Sequence, residues 1–331
     1  MAKIRTIVVG TGGMAGHHMG FMVKNRSTQL QAFVEVSPAS RKRTKKLLAE
    51  KGVIDCPPFY DSIADLLAKE AHLPDAALIV TPHKFHLENA SDCLKAGIDV
   101  LLEKPMVLTA AEARKLIALT NKTDKLLVVA FPGSLSPGVH KAKALIAEGA
   151  IGEVKGVTGL AHQNWRTNTM GTWRQDPELS GGGFLFDTGS HMINTMVDLI
   201  GEDVTELMAL MDNRDTPVEI DAALAGRFRS GKLFSLSGLG DTYGCLSQIR
   251  IYGSEGCVDV GMWGEYLMLQ KKGAPFKKVP FGKAKQAWDQ FVAVRQGKLE
   301  NPCPPEVGLR FAKLMDLIRA SAKSGKRVVA R

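Results

Sequence analysis

Five short runs rich in aliphatic and β-branched residues, at positions 4–9, 30–36, 76–81, 99–102 and 126–131, alternate with five stretches of helical pattern at 14–26, 40–51, 62–69, 86–96 and 110–121. Strands separated by helices are not joined by tight hairpins. They pair in parallel, and the intervening helices cover both faces of the sheet. Local signals point the same way. Gly97 stands where the fourth helix needs a residue tolerant of a left-handed end, and Thr109 precedes the fifth with Glu112 three residues later, the spacing of a capping box. This part of the chain is read as an α/β, doubly wound parallel sheet of Rossmann type.

The alternation stops at position 131. Pro132, Gly133, Ser134, Ser136, Pro137 and Gly138 crowd into the next seven residues, which places a domain boundary there and divides the chain into 1–131 and 132–331. A chain of 331 residues is long enough for two cores. The second part reads as a helix at 137–148, a strand at 153–161 and a helix at 186–200. Strand-like runs follow at 204–211, 222–228, 233–238, 247–252 and 266–269, then helices at 285–296 and 306–322. Strands that follow one another without helices pair largely antiparallel, so this is a second α/β domain of different construction.

A net charge of +9 raises the question of polyanion partners. Five of the six residues at positions 41–46 are basic, and Lys271, Lys272, Lys277 and Lys278 form a looser cluster, but neither is interleaved with aromatics. Solvated faces account for both, and no nucleic-acid partner is expected. Apolar runs such as 126–131 fall far short of the ~18 residues that cross a bilayer, so no membrane span is expected. Lys3 and Arg5 precede an apolar run that Gly10 and Gly12 interrupt too early for a signal peptide, leaving a first strand as the reading. Five cysteines, odd in number and without a C-x-x-C pair, suit reduced thiols and a cytoplasmic location. No metal site is expected, because the adjacent His17 and His18 cannot face one ion from the same side of a helix and His83 with His86 lacks a third ligand nearby.

Gly10-Thr11-Gly12-Gly13-Met14-Ala15 follows the first strand and opens the first helix, the context a dinucleotide fingerprint requires. Gly10 permits the tight turn, Gly12 lets the main chain approach a pyrophosphate, and Ala15 allows close helix packing; Gly13 and Met14 complete the helix start. A glycine turn without a ligand is the alternative. Glu35, at the end of the second strand, is placed to accept hydrogen bonds from an adenosine ribose and favours NAD. Ser37, Arg41 and Arg43 could instead hold a 2′-phosphate, which leaves NADP open.

Glu103-Lys104-Pro105 comes directly after the strand at 99–102, at the edge where such sheets bind ligands. Lysine can move a proton where its charged form is disfavoured; an exposed loop lysine is the other reading. Farther on, Asp187 and His191 stand four residues apart, so on a helix the carboxylate can orient the imidazole for acid/base work. A carboxylate near a helix start and a satisfied core histidine would look the same. The loop at 162–174 offers His162, Trp165, Arg166, Trp173 and Arg174 as substrate contacts, since aromatic faces stack on sugars and Arg clamps carboxylates or hydroxyls. The alternative is packing, with Arg174 paired to Asp176 and the tryptophans covering a domain seam.

Taken together, these elements resemble the glucose-fructose oxidoreductase, inositol dehydrogenase and rhizopine catabolism family (Gfo/Idh/MocA). The resemblance rests on the glycine turn with His18 after it, Thr81-Pro82-His83-Lys84-Phe85-His86, the E-K-P of residues 103–105, Trp173-Arg174-Gln175-Asp176-Pro177 and the G-G-G-x-x-x-D-x-G-x-H of 181–191. It implies an open mixed sheet in the second domain that forms homodimers or homotetramers. It also implies Lys104, Asp187 and His191 as the catalytic set, with Thr81, Pro82, His86 and Glu103 near the cofactor. The implied reaction is oxidation of a secondary alcohol on a sugar, polyol or related hydroxy compound with NAD(P). A silent NAD(P)-sensing regulator and an NAD-dependent redox glycosidase are the alternatives on the same fold. Pro132, Gly133 and Ser134 depart from the Asn and Arg pair of many members, which bears on the usual polyol substrates.

Overall fold

The computed structural model describes residues 2–330. They form two compact units, the first running to Ala130 and taking in Lys285–Gly308, the second comprising Phe131–Ala284 and the chain from Leu309 onward. The second unit is therefore not the single stretch 132–331. The correction has a physical cause: residues 285–308 carry apolar side chains that complete the core of the first unit, as described below.

In the first unit, β1 (Ile4–Val9), α1 (Gly13–Met22), β2 (Thr28–Val34), α2 (Pro38–Glu50), β3 (Phe59–Tyr60), α3 (Ile63–Lys69), β4 (Ala76–Ile79), α4 (His86–Lys95), β5 (Asp99–Leu102), α5 (Ala110–Thr123) and β6 (Leu127–Val129) succeed one another. The strands pair in parallel in the order β3-β2-β1-β4-β5-β6, as a doubly wound sheet requires. All four residues of β4 are buried, which explains why its sequence reads as an unbroken apolar run rather than an alternating one. Gly97 ends the fourth helix with φ of 80°. Thr109 caps α5 by accepting the N–H of Glu112, while the Glu112 carboxylate reaches back to the N–H of Leu108, one residue before the position a capping box uses.

In the second unit, α6 (Pro137–Ala147) precedes β7 (Val154–Asn164), and three short turns of helix follow, α7 (Trp165–Asn168), α8 (Pro177–Ser180) and α9 (Phe184–Asp187). Next come α10 (Gly189–Ile200), β8 (Val204–Asp212), β9 (Asp221–Phe228), β10 (Leu233–Leu239), β11 (Asp241–Gly253), β12 (Gly256–Val260), β13 (Leu267–Lys271) and β14 (Lys277–Lys278). The single helix expected at 186–200 is thus divided at Thr188. Nine strands, counting β15 at Val328–Val329, form one sheet in the order β14-β13-β12-β11-β7-β10-β9-β8-β15. Its pairs are antiparallel except β7 with β10, so the sheet is mixed. Strand β12 has no counterpart in the pattern reading because Asp259 looks like a polar break. In the fold it is a buried carboxylate that accepts hydrogen bonds from Gln248, Arg250 and the Tyr266 hydroxyl.

One face of this sheet packs beneath α10. A Cβ on Gly159 of β7 would stand 2.5 Å from Leu236 Cδ2 and 3.1 Å from the Met192 sulfur, so both side chains would have to shift to admit one. Alternation puts Leu207, Ala209, Leu224, Phe234 and Leu236 on the covered face and Met208, Leu210, Leu233 and Leu239 on the other, where they are exposed.

Helices α11 (Ala287–Arg295) and α12 (Pro305–Ser324) lie late in the chain. Trp288 of α11 is 1% exposed, stacks on Phe291 and donates its indole N–H to Thr28 of β2 at 2.7 Å. Such an aromatic anchor predicts that Trp288→Ala lowers stability by about 3–5 kcal/mol in urea denaturation, the usual cost of emptying a large core site. A loss below about 1 kcal/mol would show that the late segment contributes little to the first unit.

Candidate active site

The glycine turn sits at the carboxyl end of β1. Gly10 has φ of 81°, and a Cβ there would stand 2.8 Å from the Val80 carbonyl oxygen, so both backbone shape and space demand glycine. Gly12 and Gly13 meet nothing within 4 Å of a Cβ position, which leaves open space at the start of α1. That is the room a pyrophosphate needs against helix N–H groups. Ala15 is fully buried, and Met14 is exposed beside the turn.

Glu35 lies just past β2, and its carboxylate is already engaged. One oxygen accepts the main-chain N–H and hydroxyl of Thr11, and the other accepts the N–H of Ser37. It ties the glycine turn to the loop after β2 and keeps acceptor capacity for a ribose hydroxyl, since a carboxylate has about four lone-pair sites. Ser37 caps α2. Arg41 turns inward, with Nε on the Glu35 carbonyl and its outer nitrogen on Asp61, and Arg43 bonds the Ser40 hydroxyl. Arg41 is thus engaged by the protein, whereas Arg43 is exposed and donates one such bond.

Thr81 and Pro82 follow β4, and the Thr81 hydroxyl accepts from Asn89. His86 departs from expectation. It is fully buried, with Nδ1 2.8 Å from the Pro105 carbonyl oxygen and Nε2 2.9 Å from that of Thr81. Both ring nitrogens face the main chain, so neither is offered to a cofactor. Burial pushes its pKa down, against the pull of the two carbonyls and Glu103.

Glu103 is likewise turned into the protein. Its Oε1 accepts from His18 Nε2 at 2.7 Å and its Oε2 from the Lys104 N–H at 3.1 Å. Burial alone would push its pKa up. The His18 hydrogen bond and charge, together with Lys104, outweigh this and hold it below the ordinary 4.5. The Lys104–Pro105 peptide is cis.

In the second unit, Asp187 ends α9 and His191 lies in the first turn of α10. Asp187 is 5% exposed, and its Oδ2 accepts both the Trp165 indole N–H and Arg174 Nε at 3.0 Å. Arg174 therefore pairs with Asp187, not Asp176, and its guanidinium lies 4.6 Å over the Trp173 ring. Asp176 instead caps α8. His191 meets the rings of Phe131 and Trp263 edge-on.

The expected substrate loop divides. Trp165 is buried and supports Asp187, so it is not a surface for a sugar. Arg166 pairs with Asp241. His162 bonds Thr242 and, by strand alternation, lies on the face of β7 opposite Ala161 and α10; its neighbour Gln163 takes the α10 side and accepts from Thr188. Trp173 and Arg174 remain beside Asp187. Pattern reading missed Gln163 and Glu219. Glu219 accepts the Phe186 N–H, and its carbonyl accepts that of Phe184, at the start of the helix that carries Asp187. A Cβ on Gly183 would meet that carbonyl oxygen at 1.9 Å, so the glycine run serves packing. Gly133 has a similar role, since its Cβ would overlap the Thr195 hydroxyl, and Ser134 accepts from Asn194. The departure at 132–134 thus docks the loop on α10.

A glycine-rich strand–turn–helix closed by an acidic residue after β2 defines a dinucleotide-binding α/β unit, here followed by a mixed-sheet unit. The sequence profile of the oxidoreductase family with an NAD-binding Rossmann fold, GFO/IDH/MocA, matches residues 4–131, and that of the GFO/IDH/MocA C-terminal domain matches residues 139–259. The chain belongs to this family. The NADP(+) D-xylose 1-dehydrogenase of Haloarcula marismortui is 30% identical over 171 residues, 50% of this chain and 46% of that protein. The D-glucoside 3-dehydrogenase of Escherichia coli is 28% identical over 201 residues, covering 60% and 55%. The matched chain spans about half the length of these relatives. The WlbA dehydrogenase from Chromobacterium violaceum, solved with NADH and UDP-GlcNAcA, shares the fold with a TM-score of 0.85 and 23% identity, over 100% of this chain and 97% of that one.

The depressed pKa of Glu103 sets a pH window. Its ionised contacts contribute stability above 4.5 that is lost as pH falls through the lowered value. Glu103→Gln lacks this contribution. The stability gap between wild type and variant, from urea titrations, should be widest well above 4.5 and shrink below it. A gap independent of pH would mean that Glu103 is not ionised in the fold.

Proposed function

We propose that the chain is a nicotinamide-dependent oxidoreductase that interconverts a secondary alcohol and a carbonyl on a sugar, polyol or related hydroxy compound. The observation that carries this reading is Lys104 at the carboxyl end of β5, in the same unit as a glycine turn with open space before a helix N-terminus. The turn from Gly10 to Ala15, Glu35 and Thr81 are the residues that would hold the dinucleotide. Once bound, the nicotinamide supplies the hydride acceptor for the alcohol, or the donor for the carbonyl. NAD fits better than NADP, because the Glu35 carboxylate beside the turn would repel a 2′-phosphate and Arg41 is engaged by the protein.

Lys104 or His191 takes the hydroxyl proton, and Lys104 also stabilises negative charge that develops on the oxygen. Asp187, itself held by Trp165 and Arg174, orients the His191 imidazole and stabilises its charged form. Trp173 and Arg174 contact the substrate. The thiols of Cys56, Cys93, Cys245 and Cys257 suit a reducing compartment, consistent with a cytoplasmic enzyme. Among the described residues no helix is long and apolar enough to cross a membrane, and no group of three or more metal-ligating side chains occurs.

The uncovered face of the nine-stranded sheet supports assembly with a second copy. Leu210 is 63% and Leu233 55% exposed there, alongside Met208, Leu239 and Leu246, apolar side chains that a second copy would take out of water.

Two outcomes are expected. Lys104→Ala and His191→Ala lower turnover by about 10²–10⁴ with NAD affinity nearly unchanged, read as NADH formation over a panel of sugars, inositols and sugar acids and as cofactor binding by calorimetry. Wild-type turnover in both variants would overturn the assignment. Leu210→Glu combined with Leu233→Glu shifts sedimentation to a smaller species, and unchanged sedimentation would remove the sheet face as the interface.

A further inference from the structure

Lys104 is flanked in the chain by two residues that are each held by a buried histidine. On one side, His18 of α1 donates Nε2–H to Glu103 at 2.7 Å, and the other carboxylate oxygen of Glu103 accepts the Lys104 N–H. On the other, His86 of α4 sets Nδ1 2.8 Å from the Pro105 carbonyl oxygen. His18 is 7% exposed and His86 0%, so these contacts lie inside the protein, away from solvent competition. The two helices are far apart in sequence, and each contributes one imidazole to the same three-residue segment.

His86 faces two carbonyls, that of Pro105 from Nδ1 and that of Thr81 from Nε2. Pro105 is buried, whereas Thr81 is half-buried. The bond to the buried Pro105 carbonyl is the one whose loss would leave an acceptor unsatisfied inside the protein, so the Nδ1 contact is the stronger constraint on this segment.

We propose that His18 and His86 are positioning residues that fix Lys104 from both sides, His18 through Glu103 and His86 through the Pro105 carbonyl. The proposal rests on the reading of Lys104 as the proton-transferring lysine. Misplacing a reacting group by about 1 Å costs on the order of a hundredfold in rate, so the two clamps bear on turnover rather than on cofactor affinity.

The donor atoms permit a crossed test. The amide nitrogen of glutamine occupies the place of histidine Nε2, and that of asparagine the place of Nδ1. His18→Gln and His86→Asn therefore keep the two bonds, while His18→Asn and His86→Gln break them. In the full-length protein the first pair should retain kcat within a few-fold, and the second should lose about a hundredfold in kcat with NAD affinity by calorimetry unchanged. Thermal unfolding of all four confirms folding, and either position suffices if one variant fails to fold.

A second readout does not depend on turnover. The rate at which trinitrobenzenesulfonate modifies the Lys104 amine, followed by mass spectrometry of the peptide that contains it, should change in His18→Asn and His86→Gln and stay at the wild-type rate in the other two. Equal effects of Asn and Gln at both positions, or an unchanged Lys104 rate in all four variants, would overturn the proposal. If Lys104→Ala keeps wild-type turnover, the functional reading of Lys104 fails, while the labelling pattern still decides whether the two histidines fix its position.

Discussion

A parallel sheet buried on both faces has only its strand ends to offer a ligand. In the first unit, helices cover the sheet from both sides, and the residues that can meet a small molecule are gathered at one edge, where β1, β2, β4 and β5 end. Gly10, Glu35, Thr81 and Glu103 all stand within two residues of those ends. The same crowding forces polar groups into the interior. Glu103 and His86 are buried there because the segment after β5 must be held against α1 and α4, and each has hydrogen-bond partners that offset the cost of leaving water.

The second unit obeys a different rule. Its sheet is covered on one side by α10, so each strand divides its residues between an inner and an outer face. One step along β7 separates Gln163, which meets Thr188 on the α10 side, from His162, which does not. On the inner side, the polar set around Asp187 is assembled from three separate pieces of chain, with Trp165 from α7, Arg174 from the following loop and Glu219 just before β9 supporting α9.

Much of the fold was legible because its signals are local. The strand–helix alternation predicts the parallel sheet, and the glycine turn is recognisable from six residues in order. What pattern reading could not supply were contacts between residues distant in sequence. Asp259 reads as a break in a strand and is a buried acceptor; residues 285–308 read as part of the second domain and return to the first, where Trp288 bonds Thr28. The candidate site divides in the same way. Lys104, Asp187 and His191 were named from motifs, while the partner of Arg174 and the orientation of His86 depend on where other elements lie.

By itself, the sequence determined the class of fold, the dinucleotide turn and the family, because periodicity and short motifs are encoded by neighbouring residues. Only the tertiary structure decided what each polar side chain does. Glu103 and His86 were expected at a cofactor, and Trp165 at a substrate; all three are turned inward to hold other residues. A hydrogen bond has a length and a direction, and a sequence specifies neither for residues far apart in the chain.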